Sequence, residues 1–72
     1  MIPELDLHGV RHDDVARKCD QFMTEIWGRF DEAKIITGNS ILMRRRVVSA
    51  LKSYDIDLEP LPHNPAVLRV YL

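Results

Sequence analysis

The residues Leu5-Asp6-Leu7-His8-Gly9 frame the reading of this 72-residue chain. Apolar and polar side chains alternate along them, the period of a β-strand with two distinct faces. Leu5 and Leu7 share the face that turns toward a core. Asp6 and His8 share the other, and Gly9 ends the strand where the backbone must turn. A carboxylate and an imidazole are thereby expected side by side at a strand terminus, where a rigid element aims them and a loop leaves them open.

Outward from that stretch, the first strand spans Met1 to Leu7, with Pro3 near its start, where a missing donor does least harm. From Asp13 to Phe30 the period becomes helical. Val15, Cys19, Phe22, Met23, Ile26 and Phe30 recur at steps of three and four as one apolar stripe. Asp13 and Asp14 fall in the first turn, where they complement the helix dipole. Ala33 to Thr37 is a β-branched run closed by Gly38, hence a second strand. Asn39 or Ser40 is a suitable N-cap for a second helix. That helix is predicted over 41–54, burying Ile41, Val47, Val48, Leu51 and Tyr54, with Arg44, Arg45 and Arg46 in its first two turns. Ile56 to Leu61 is a third extended segment. Pro62-His63-Asn64-Pro65 forms a turn, and Ala66 to Leu72 alternates strongly as a last strand.

The order is β-α-β-α-β-β within one domain, residues 1–72. Right-handed crossovers and a final hairpin make it an α/β two-layer sandwich, two helices on one face of a four-stranded mixed sheet. The other sheet face is left bare, open to a homodimer or a protein partner. Arg69 and Tyr71 belong to that face.

Composition narrows the function classes. With 46% apolar and 29% charged residues, the chain has the make-up of an ordinary globular protein. No apolar run reaches the length of a membrane span and no signal-peptide pattern is present, so no membrane contact and a cytoplasmic location are expected. One cysteine excludes an internal disulfide and any Cys-rich zinc site. The net charge of −1 and pI near 6.3 provide no global basic field. Binding to a polyanion must therefore be local, and Arg44-Arg45-Arg46 is the local positive block.

Taken together, Leu5-Asp6-Leu7-His8-Gly9, the amphipathic helix after it, the strand ending in Thr37-Gly38 and the Arg-bearing helix resemble the Smr (small MutS-related) domain. That family opens with an LDLHG-type motif, and its second strand ends in a His/Thr-Gly-x-Gly turn. The likeness covers essentially the whole chain, including the element order. It implies the fold of the C-terminal domain of bacterial translation initiation factor three. It also implies nucleic-acid binding, in many members endonucleolytic cleavage or nicking of RNA or DNA. One position departs from the pattern: Ser40 stands where the turn's second glycine is expected, and a backbone that approaches a phosphate closely prefers glycine. A non-catalytic nucleic-acid-binding or protein-interaction module is the alternative that this departure keeps open.

The residues suggest two chemistries. In one, Asp6 orients the His8 imidazole, which takes a proton from a ribose 2′-hydroxyl and needs no metal. In the other, Asp6 holds Mg²⁺ or Mn²⁺ that activates water, with His8 as acid or base. Gly9, Thr37, Gly38, Asn39 and Ser40 are the expected substrate-binding turns, since backbone N–H groups at a helix N-terminus attract phosphate. Arg44 packs its stem along the apolar stripe while Arg45 and Arg46 face solvent. Contact with phosphate by Arg44 or Arg45 is expected. Cys19 is read as an inert core thiol, and His12 and His63 as surface histidines.

Overall fold

The computed structural model describes residues 1–72, and its elements follow the predicted order. They are β1 (Glu4–Asp6), a single 3-10 turn (His12–Asp14), α1 (Val15–Ile26), β2 (Glu32–Ile36), α2 (Ile41–Ala50), β3 (Asp57–Leu61) and β4 (Asn64–Tyr71). The sheet runs β1-β2-β4-β3. β1 and β2 are parallel, with Leu5 opposite Ile35, and β4 is antiparallel to both β2 and β3. The chain is thus an α/β two-layer sandwich with a mixed sheet.

Both helices pack on one sheet face. Their stripes meet Leu7, Ala33, Ile35, Leu68 and Val70 in one core that includes Val15, Cys19, Met23, Val47 and Leu51. The predicted α1 stripe is buried throughout, with Phe30 packed at its margin. The helix itself is shorter than its pattern. Asp14 sits at its start in αR conformation without a capping side-chain bond. At the other end Trp27 is extended and Gly28 takes φ +80°, a left-handed residue that terminates the helix. β1 is also short. Pro3 has no N–H to extend the ladder, and after Leu7 the carbonyl turns inward to accept the Val10 N–H at 3.0 Å.

α2 departs furthest from its reading. Met43, Val47, Ala50 and Leu51 define its core side, and at 100° per residue that places Ile41 and Val48 on the outward side. Ile41 is 64% exposed and Val48 46%. The expected burial of these two is therefore corrected. Tyr54 packs at the core margin, beside Trp27, with ring centroids 5.8 Å apart.

Burial pushes the Cys19 thiol up from 9.0 to about 11, with the Asp20 charge adding to the effect. The unfolded chain would lose this proton at lower pH than the folded protein does. Stability from this group is therefore present below pH 9 and is lost as pH rises through about 11. Melting temperatures are expected to fall across that interval. Below pH 9, a thiol-specific disulfide reagent should react slowly with native protein and quickly in denaturant.

Candidate nucleic-acid interface

Because β1 and β2 are parallel neighbours, the two turns that follow them emerge at the same end of the sheet. The first turn is Leu7-His8-Gly9-Val10. Gly9 has φ +79° and His8 does not have positive φ, which is the geometry of a type II turn. His8 is exposed at its corner. Asp6 is exposed on the last residue of β1, and its Oδ1 accepts the His8 main-chain N–H at 2.8 Å. The carboxylate therefore braces the turn. No hydrogen bond joins it to the imidazole, so the expected Asp6–His8 side-chain pair gives way to a side-chain-to-backbone link. The physical reason is that the turn begins at Leu7, lifting His8 out of the strand and out of its period-2 alternation.

The second turn, Thr37-Gly38-Asn39-Ser40, leads into α2. Thr37 is buried, and its single hydroxyl proton has two acceptors in reach, the carbonyls of Gly38 at 3.0 Å and Ala66 at 3.1 Å. The main-chain N–H groups of Thr37 and Gly38 both donate to Ala66 O, at 2.7 and 3.1 Å. These two amides are thus spent on holding the turn against β4. Gly38 adopts φ +68°, a conformation that the absence of Cβ makes cheap. Ser40 is the N-cap of α2, and its Oγ accepts the Met43 N–H at 3.1 Å. The first helical hydrogen bond runs from Arg44 N to Ser40 O. The amides of Ile41 and Leu42 precede it and remain for a ligand at the positive end of the dipole. Ser40→Ala is expected to cost about 1 kcal/mol of stability, and Ser40→Gly only a few tenths. Thermal melts of the two variants would check that Ser40 serves as a cap.

The arginine block divides as its helical positions dictate. Arg44 is half-buried, and its Nη2 donates to Pro65 O at 2.7 Å, while its Nε is buried without a partner. Arg44 thus clamps the β3–β4 hairpin. Arg45 and Arg46 are exposed and form no ion pair. The residues that the sequence reading passed over are those of the hairpin itself. β3 runs parallel to β2, so the Pro62-His63 turn returns to the same sheet end. Pro65 and Ala66 there supply the carbonyls that brace Arg44, Thr37 and Gly38. An Asn-Pro turn was the only local signal, and it carries no information about these distant partners.

The bare sheet face is different in character. Its register aligns Glu4, Lys34, Arg69 and Glu59 across the four strands, with Glu32, Tyr71 and Asp57 in the row beyond. Arg69 Nη2 contacts Glu32 Oε2 at 2.6 Å, Tyr71 donates its hydroxyl to Glu59 at 2.6 Å, and Arg69 lies over the Tyr71 ring. These hydrogen bonds raise the pKa of both Arg69 and Tyr71. With Asp6, the face holds five carboxylates (Glu4, Asp6, Glu32, Asp57, Glu59) against Lys34 and Arg69, a field that repels phosphate. Tyr71 lies level with Glu32, at the opposite end of β2 from Ile36 and Asp6. Arg69 and Tyr71 therefore share the sheet face with Asp6, Arg69 one row away and Tyr71 at the end far from the His8 turn.

No group of three or more His, Cys, Asp or Glu side chains is placed to hold a metal ion. A resident Mg²⁺ or Mn²⁺ would find Asp6 at the end of β1, its Oδ1 already accepting the His8 main-chain N–H, and not the set of oxygens such cations require. No helix is long and apolar enough to cross a membrane. Comparison of the chain with protein-family models, with curated proteins and with solved structures yields no match.

Proposed function

We propose that this chain is an Smr-like nucleic-acid-binding domain that engages a sugar–phosphate backbone at the carboxyl ends of β1 and β2, with His8 as the proton-transfer group for metal-free cleavage of RNA. The parallel pairing of β1 with β2 carries the reading, because it sets the His8 turn beside the turn that opens α2. Ligands in open α/β sheets gather outside such strand ends. The α2 N-terminus adds partial positive charge, and the unpaired Arg45 and Arg46 add full charges near it. The acidic sheet face directs a polyanion toward this end.

The chemistry rests on an exposed imidazole without a metal. Neutral His8 takes the proton of a ribose 2′-hydroxyl, and the 2′-oxygen attacks the adjacent phosphorus. The P–O5′ bond breaks, the product is a 2′,3′-cyclic phosphate, and the departing 5′-oxygen takes a proton from the imidazolium or from water. DNA lacks the 2′-hydroxyl and can be bound but not cut by this route. A second reading, a binding module without catalysis, is favoured by one observation. Asp6 is committed to the His8 N–H, so no carboxylate orients the imidazole.

Binding of labelled single-stranded RNA across a salt series tests the proposal. Affinity is expected to fall with salt. Arg45→Glu with Arg46→Glu should weaken it at least tenfold and flatten the slope of log K against log salt by roughly 1.4. Salt-independent affinity, an unaffected double variant or no binding would overturn it.

A further inference from the structure

The largest cavity on the molecule has no lining residue in the His8 turn and meets the acidic sheet face only at Asp57. It is a groove of about 680 Å³ between α2 and β3, lined by residues that include Arg45, Val48, Lys52, Ile56, Asp57 and Leu58. Its volume is that of an ordinary binding cleft. The outer side of α2 continues it. Ile41, Arg45 and Val48 follow one another at steps of four and three on one helical stripe, and Lys52 extends it in the turn after α2, so that aliphatic and basic residues alternate. Ile41 is 64% exposed, Leu42 49% and Val48 46%. Nothing in the fold uses these side chains, and an exposed aliphatic stripe beside a cleft marks a contact surface.

We propose that this groove docks an acidic amphipathic helix of a protein partner, a function that goes beyond RNA binding. Charge complementarity identifies the occupant. Arg44, Arg45 and Lys52 line the groove against one acid, Asp57, on a chain whose net charge is −1. The floor is aliphatic. Its aromatic residue, Tyr54, has its hydroxyl bonded to Asp20 at 2.9 Å and its ring beside Trp27, so it is already engaged and is no free platform for a nucleic-acid base. A partner strand would have to pair with the edge of β3, where Pro60 removes a donor and a bulge at Pro60/Leu61 interrupts the register. A helix needs no backbone partner. The span from Ile41 to Val48 is about 10 Å along α2, two turns, which suits a short helix with apolar residues at i, i+4 and i+7 flanked by Asp and Glu.

The test is a selection from a displayed library of 16-residue helix-biased peptides on the full chain. The best peptide is then measured by fluorescence anisotropy and by ¹⁵N NMR shifts. Enrichment of acidic sequences with apolar residues at helical spacing is expected, with shifts at Val48, Ile56 and Leu58. Val48→Asp and Lys52→Glu, at exposed positions that leave the circular dichroism spectrum unchanged, should each weaken the peptide at least tenfold while leaving RNA affinity within twofold. Loss of RNA binding in the parent would thus sink the RNA reading alone. Failure to enrich over a blank surface, enrichment of basic or uncharged sequences, or peptide shifts outside the groove would overturn the inference. So would single-stranded RNA shifting Val48, Ile56 and Leu58, which would assign the groove to nucleic acid.

Discussion

His8→Ala is expected to reduce cleavage of single-stranded RNA by 10²- to 10⁴-fold, the usual contribution of a positioned general acid–base group. His8 is exposed at the corner of its turn, and its side chain makes no hydrogen bond. The main-chain N–H that Asp6 accepts is present in alanine as well. The turn should therefore keep its shape, the melting temperature should change little, and RNA affinity should stay within a few-fold. Asp6→Ala is expected to act differently, removing the brace on the turn and loosening the position of His8. A product ending in a 2′,3′-cyclic phosphate, resolved by mass spectrometry, would identify the metal-free route. Undiminished cleavage by His8→Ala protein would exclude His8 from the chemistry.

Ile35→Ala should come close to unfolding the domain. Ile35 is fully buried at the centre of β2, between Leu5 on β1 and Leu68 on β4, and its side chain enters the core beneath both helices. Truncation of such a residue costs about 2–5 kcal/mol through lost transfer energy and the cavity left behind. Small domains hold only roughly 0.05–0.15 kcal/mol of stability per residue, and a chain of this size buries a modest fraction of its surface. A large part of the total stability is at stake. At roughly 4–8 °C per kcal/mol for a domain of this size, the melting temperature should fall by tens of degrees. Ile36→Ala, one residue on and half-buried on the other sheet face, should fall much less. Equal losses for the two would contradict the assignment of the faces.

Much of this fold is legible in the chain. The α1 stripe could be read residue by residue because every apolar position on it is buried and nearly every other is not. The alternation of Ala66 to Leu72 likewise places Leu68 and Val70 inside and Arg69 and Tyr71 outside. α2 was harder, because its apolar residues lie on both sides. Periodicity reports where apolar side chains are and cannot tell a core-facing valine from one kept exposed. Pairing is absent from local patterns altogether. That β4 inserts between β2 and β3 is a long-range outcome, and it makes Ala66 O the acceptor for the Thr37–Gly38 turn. The two turns and the arginine block were visible in the chain, while the roles within them depended on such contacts. Asp6 and Ser40 cap, Arg44 clamps a hairpin, and His8, Arg45 and Arg46 are left free.

The most direct test of the central claim is a ¹⁵N NMR titration of the protein with a short single-stranded RNA, using His8→Ala protein to prevent turnover. Binding at the sheet end should confine the largest shifts to residues 8–10, Asn39–Leu42 and Arg45–Arg46, fading as salt is raised. Shifts centred on Lys34, Arg69 and Tyr71 of the sheet face, or none at millimolar RNA, would contradict it.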